Sequence, residues 1–261
     1  MKKGILIIGH GSRYDYNKWI IEEQKARLEK KGFENVYIGF NEFTDPLVND
    51  SLEKMVADGI DEVTAVPFLI ASGRHANREI PLRLGIPYDS HFAEIVIREK
   101  KVTIIYEQPF GNDPALAAIL SERIKEISNN RAKRWIMVVG QGSRQPYNKE
   151  TVFFQANELE KMGYKNVVCA FSRLDEPSVE KVFDSLLTGG AEEIVILPLY
   201  ISMGVCLNNE IPRKIGLMDG LKVDMFSYGG HSVVVKYASP IGNDPKLTEI
   251  VAKKILSRRE Q

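Results

Sequence analysis

Short apolar runs bounded by glycine or proline recur along the chain and alternate with stretches of helical periodicity. Residues 5–8, all apolar between Gly4 and Gly9, read as a buried strand. Residues 15–31 place apolar side chains at helical spacing, and Gly32 supplies a C-cap signal. Residues 36–40 predict a second strand, Pro46 opens a second helix that ends near Gly59, and 62–67 predict a third strand. Residues 76–84 read as a short helix and 102–106 as a fourth strand. Asp113-Pro114 then starts a last helix, with proline at a favoured first-turn position. The same order returns with strands at 136–139, 167–171, 193–197 and 233–237. Strands alternating with helices imply an α/β fold with a parallel sheet covered on both faces, whose ligand site lies at the carboxyl ends of the strands.

The pattern is written twice. Gly9-His10-Gly11-Ser12-Arg13 returns as Gly140-Gln141-Gly142-Ser143-Arg144, and Glu79-Ile80-Pro81 as Glu210-Ile211-Pro212. Gly111-Asn112-Asp113-Pro114 likewise returns as Gly242-Asn243-Asp244-Pro245. Laying 4–130 on 135–261 needs no gap and gives 38 identities in 127 pairs. Two long copies read as two tandem domains, 1–130 and 131–261, meeting in the polar stretch 129–131. The expectation is a fused dimer: two pseudo-two-fold-related domains, each a parallel four-stranded sheet flanked by helices, with the ligand cleft between them.

Composition narrows the function. Of the 261 residues, 35 are Lys or Arg and 35 are Asp or Glu, and this zero balance argues against a dedicated nucleic-acid binder. The two cysteines, Cys169 and Cys206, form no C-x-x-C pair, so a disulfide framework or zinc ribbon lacks its residues. The N-terminal apolar run is too short for a signal peptide, and no run of about 18 apolar residues predicts a membrane span. A soluble cytoplasmic protein without membrane or nucleic-acid partner is expected. The Gly-x-Gly after the first strand is only a fragment of a dinucleotide fingerprint, since Tyr14 stands where a third glycine is needed, and no P-loop lysine follows.

Only four histidines occur, at 10, 75, 91 and 231, and two of them fall at strand carboxyl ends in one half. His10 follows the first strand, Glu42 the second and His75 the third. Two imidazoles and a carboxylate on one rim suit an open site for a divalent transition metal. In the second copy His10 becomes Gln141, Glu42 becomes Arg173 and His75 becomes Cys206, while the surrounding frame persists. Loss of all three together suggests one working constellation, kept in the first half. His91 and His231 do not correspond and read as surface or strand-end residues; Cys169 reads as core, and Cys206 as packing rather than a soft metal ligand.

With Gly9-His10-Gly11-Ser12-Arg13, Phe40-x-Glu42-x-x-x-Pro46 and Gly73-Arg74-His75-Ala76-Asn77-Arg78-Glu79-Ile80-Pro81 in this order, the chain resembles the class II tetrapyrrole chelatases, specifically the sirohydrochlorin cobaltochelatase family in its fused form. The resemblance covers nearly the whole chain. It implies ATP-independent insertion of Co2+ into sirohydrochlorin in cobalamin biosynthesis, with nickel or iron insertion as the alternative and a non-catalytic metal or tetrapyrrole carrier as the rival from another class. His10 and His75 would be the catalytic, metal-binding histidines and Glu42 a third active-site residue. Ser12, Arg13, Arg74, Asn77 and Arg78 become candidates for binding the polycarboxylate substrate, though each could equally cap a helix or form a surface pair. The metal would be a substrate, no cofactor would be permanently bound, and the fusion implies a monomer with an internal pseudo-dimer.

Overall fold

The computed structural model describes residues 1–87, 90–129, 133–202, 204, 206–217 and 223–259, apart from the side chains of 258 and 259. Residues 130 and 131 of the expected junction lie outside this set. The chain forms two compact units, one of Met1–Gly111 with Asn243–Gln261 and one of Asn112–Gly242.

In the first unit β1 (Lys3–Gly9), β2 (Val36–Phe40), β3 (Glu62–Pro67), β4 (Phe92–Ile97) and β5 (Lys100–Tyr106) form one sheet in the order β2-β1-β3-β5-β4. The four predicted strands run parallel, with Ile5 opposite Val36 and Thr64, and Glu62 opposite Thr103. Leu6 and Ile8 face a core shared with α2 (Val48–Ala57) and the short α3 (Ile80–Arg83). Ile5 and Ile7 are buried as well, on the face where α1 (Asp15–Lys30) packs. Burial on both faces explains why β1 is a continuous apolar run rather than an alternating one.

A fifth strand was not predicted. β4 pairs antiparallel with β5 through the two-residue turn Arg98-Glu99, so the sheet is four parallel strands plus an antiparallel edge. Both turn residues have positive φ, 48° and 66°, which a hairpin of this length requires and which Asn-Gly or Gly-Gly normally supplies. Arg98-Glu99 carries no such signal.

The second unit repeats the design with β6 (Arg134–Gly140), β7 (Val167–Phe171), β8 (Glu193–Pro198), β9 (Val223–Tyr228) and β10 (His231–Tyr237) in the order β7-β6-β8-β10-β9. Its helices are α4 (Ala115–Ile127), α5 (Tyr147–Lys161), α6 (Val179–Thr188) and α7 (Ile211–Lys214). Here α4, the last helix of the first repeat, completes the unit: Thr151 Oγ1 donates to Asn112 Oδ1 at 2.8 Å and Gln155 Nε2 to the Asp113 carbonyl at 3.0 Å. Conversely α8 (Pro245–Arg259) completes the first unit. There Gln24, fully buried on α1, donates to Asn243 Oδ1 at 3.2 Å and accepts from Thr248 Oγ1 at 2.6 Å. The compact units therefore cut the chain elsewhere than the repeat does, because each repeat gives its last helix away.

Candidate metal centre

Three loops at the carboxyl ends of β1, β2 and β3 carry His10, Glu42 and His75. The first two are locked by backbone contact. Glu42 N donates to the His10 carbonyl and Asn41 N to the Gly9 carbonyl, each at 3.0 Å. Gly11 between them has φ +91°, and a Cβ there would stand 1.6 Å from the Glu42 carbonyl oxygen. Only glycine lets these loops approach so closely. The third loop enters a single π-helical turn, His75–Glu79, ahead of α3. Such turns widen the backbone and recur at functional sites. This one is pinned from the sheet by Tyr106 of β5, whose hydroxyl donates to the Ala76 carbonyl at 2.7 Å.

The three side chains meet. One ligand atom from each of His10, Glu42 and His75 lies within 4.8 Å of the others, and the imidazole centroids are 4.1 Å apart. All three are half-buried, so the cluster is reachable from solvent. His10 Nδ1 is itself buried, has no hydrogen-bond partner, and faces Glu42 Oε1 at 3.5 Å. A tetrahedral ion with bonds of about 2.1 Å holds neighbouring ligand atoms about 3.4 Å apart, so this spacing suits a shared cation. The donor set of imidazole and carboxylate suits first-row divalent ions such as Co2+, Ni2+ and Fe2+.

Behind the cluster sits Glu79, which the sequence reading did not single out. Its Oε2 is 2.5 Å from His75 Nδ1, and its Oε1 is 2.6 Å from Arg74 Nε. Burial works to raise the Glu79 carboxyl pKa. Hydrogen bonds from Asn41 and His75, with the charges of His75 and Arg74, outweigh it and hold the group below the usual carboxylate range. An ionised carboxylate only accepts, so the hydrogen of neutral His75 lies on Nδ1 and the Nε2 lone pair is left for an ion. Asn41, buried to 1 % exposure, donates from Nδ2 to Glu79 Oε2 at 3.1 Å and accepts at Oδ1 from Arg83 Nε at 3.0 Å. The usable signals were the four-residue step from His75 to Glu79 in a helical segment and the change of Asn41 to Ser172 between the copies.

The other candidates are spread around the rim. Ser12 Oγ accepts from Tyr14 N at 3.1 Å and so closes a turn, and Arg74 is committed to Glu79. Arg13 is exposed, with its guanidinium 5.6 Å from the Phe43 ring. Asn77 is half-buried, and Arg78 is exposed. His91, just before β4, stacks on the Tyr106 ring at 6.2 Å, and His231 opens β10; both are exposed, and neither belongs to the cluster. Cys169 is buried, and burial pushes its thiol up to about 12.

In the second unit the matched positions satisfy one another. Ser172 Oγ lies 2.8 Å from Tyr200 OH and 3.3 Å from Cys206 Sγ, while Arg173 donates through Nε to Glu210 Oε2 at 2.7 Å. Glu210 is the counterpart of Glu79, and with Arg74 and His75 replaced there, Arg173 is the cation that neutralises it. Among the described residues only His10, Glu42 and His75 form a group able to hold a metal.

Residues 4–127 and 135–258 each match the CbiX family. The sirohydrochlorin cobaltochelatase of Methanopyrus kandleri is 32% identical over 135 residues, covering 47% of this chain and 94% of that protein. The sirohydrochlorin ferrochelatase of Bacillus subtilis is 29% identical over 245 residues, 91% of this chain and 89% of that protein. Among solved structures, SirB from Bacillus subtilis with Fe3+ superposes with a TM-score of 0.76 at 26% identity, covering 98% of this chain and 94% of SirB. With both of its repeats matched from end to end, the chain belongs to the CbiX family.

Proposed function

We propose that this protein is a sirohydrochlorin chelatase that inserts a divalent metal, Co2+ before others, into the macrocycle without ATP. The observation that carries this reading is the His10, Glu42 and His75 cluster: three ligand atoms within 4.8 Å, open to solvent and present in one copy of the repeat only. Relatives that match about half of the chain, from Methanopyrus kandleri and Methanococcoides burtonii, are named sirohydrochlorin cobaltochelatases. Iron is the second reading, favoured by the Bacillus subtilis ferrochelatase, which matches 91% of the chain rather than one half.

The chemistry asks for little beyond this site. The incoming ion is a substrate. It must shed part of its water shell, be held against the face of the macrocycle, and leave as two pyrrole N–H protons depart. Two neutral imidazoles and one carboxylate hold such an ion in an open coordination sphere without enclosing it. When the ion passes to the four macrocycle nitrogens, Glu42 and the freed imidazoles become bases beside the two departing protons, which keeps charge balanced: one M2+ in, two H+ out. Arg13, Asn77 and Arg78, with Ser12 and Arg74 alongside, supply donors for the substrate's carboxylates at the rim.

An anaerobic spectrophotometric assay of sirohydrochlorin with Co2+, Ni2+ and Fe2+ tests this. Acceleration over the uncatalysed rate, greatest with Co2+, is expected. Greatest acceleration with Fe2+ would establish the iron reading, and no acceleration with any ion would reject an enzyme in favour of a carrier.

A further inference from the structure

His75 can present Nε2 to an ion only if one of two imidazole tautomers, and one ring orientation, is held. The nearest acceptor for Nδ1–H is Glu79 Oε2 at 2.5 Å, so the question becomes what aims Glu79. Two groups grip its carboxylate. Arg74 takes Oε1, but its side chain is 78% exposed, a long cation in water that constrains weakly. Asn41 takes Oε2 from a position 1% exposed. A buried amide must have its polar atoms satisfied, and here Nδ2 is given to Glu79 while Oδ1 accepts from Arg83 Nε. Its backbone N–H is fixed to the Gly9 carbonyl, one residue from His10. Asn41 Nδ2 also lies 3.3 Å from His75 Nδ1; with the hydrogen on Nδ1 this is a packing contact that bars the ring from rotating towards it.

The second unit serves as a control inside the same chain. Ser172 stands in place of Asn41, equally buried, and its hydroxyl is engaged with the Gln141 carbonyl and Tyr200 instead. Where the histidines are gone, the asparagine is gone, although the acidic residue at 210 persists.

We propose that Asn41 is a positioning residue of the metal site: braced by Arg83, it aims Glu79 and thereby fixes the tautomer and orientation of His75. This rests on the chelatase reading for its importance, but not for its test. Two variants are compared with the parent protein, Asn41→Leu, which keeps bulk and loses the donor, and Arg83→Ala, which removes the brace from an exposed position and leaves the buried one intact. The first measurement is Co2+ affinity by calorimetry, using the ion alone. Loss of such an outer partner typically weakens binding ten- to a hundredfold, the expectation for Asn41→Leu, with a smaller loss in the same direction for Arg83→Ala. The second is NMR of the metal-free protein labelled at histidine, in which the His75 Nδ1 proton, strongly bonded in the parent, should broaden or vanish in both variants.

Parent-like Co2+ affinity together with an unchanged Nδ1 proton in Arg83→Ala and in folded Asn41→Leu would overturn the proposal. If Asn41→Leu does not fold, an unchanged Arg83→Ala suffices to overturn it. If the parent inserts no metal into sirohydrochlorin while both variants still lose the His75 proton signal, the chelatase reading falls and the positioning role stands.

Discussion

At the scale of single residues, the two copies of the repeat allow matched tests. His10→Ala or His75→Ala removes one of few ligands, so the initial rate at saturating metal and sirohydrochlorin should fall by orders of magnitude. Gln141→Ala and Cys206→Ala, in equivalent loops, should leave it within a few-fold; equal losses within each pair would remove the case for a one-sided site. Gly11 and Gly32 separate two costs of a side chain. Both have positive φ, +91° and +87°, but Gly32 has no atom within 4 Å of a built Cβ, whereas at Gly11 the Glu42 carbonyl is 1.6 Å away. Gly32→Ala should cost about 1–2 kcal/mol from backbone conformation alone. Gly11→Ala adds a backbone clash and should cost roughly 3 kcal/mol or more, read from urea unfolding, and also displace Glu42. Glu79 makes stability depend on pH in a defined direction. Its folded pKa is lowered, so its contribution is present above the ordinary carboxylate value of 4.5 and is lost as pH falls through the lowered folded value. Glu79→Gln should flatten that acid limb of a stability–pH curve, and an unchanged limb would refute the assignment.

At the scale of elements, the π turn His75–Glu79 depends on β5, a strand three elements later in the chain. Tyr106 is 2% exposed, and burial holds its hydroxyl protonated well past the ordinary tyrosine range, so it remains a donor to Ala76. Tyr106→Phe leaves that carbonyl without its partner in a buried place, at about 1–3 kcal/mol. Thermal unfolding should show the loss, and insertion should slow because His75 sits one residue before Ala76. The periodicity of 76–84 predicted a helix and so found this segment, but regular spacing cannot show a turn of π width. The hairpin β4–β5 was missed for another reason: its turn chemistry, Arg98-Glu99, is silent. The matching turn in the second unit, Gly229-Gly230, also has positive φ, 55° and 82°; there the two glycines were a turn signal, yet the expectation of four strands per half left that hairpin out too.

At the scale of the whole chain, the exchange of last helices decides which fragments can stand alone. The segment 112–242 is contiguous and contains every element of the second unit, including α4. It should fold cooperatively when expressed by itself. The segment 131–261 follows the repeat boundary but lacks α4, leaving Gln155, Thr151 and the apolar face of α5 without Asn112, Asp113 and that helix. It should be unfolded or aggregated under the same conditions. Circular dichroism and urea titration of the two fragments check this, and cooperative unfolding of 131–261 with 112–242 unfolded would contradict it.

Much of this was open to reading in the linear chain. Apolar runs located all eight parallel strands, most plainly the central β1, β3, β6 and β8, which are buried on both faces, while β5 and β10 are buried on alternate residues. The gapless repeat exposed the asymmetry that marks His10, Glu42 and His75. What the chain alone could not settle is which groups from distant segments meet. Asn41 and Glu79 lie 38 positions apart, and neither Asn nor Glu announces a partner until the loops are folded. The helix exchange is of the same kind. Both last helices begin with the same Gly-Asn-Asp-Pro motif, and both first helices carry the same buried glutamine, Gln24 and Gln155. The shared motif and glutamine therefore fit either pairing, and the contacts that tell the two apart, Thr248 to Gln24 and Thr151 to Asn112, form only once the folded path of the chain has brought each last helix to its sheet.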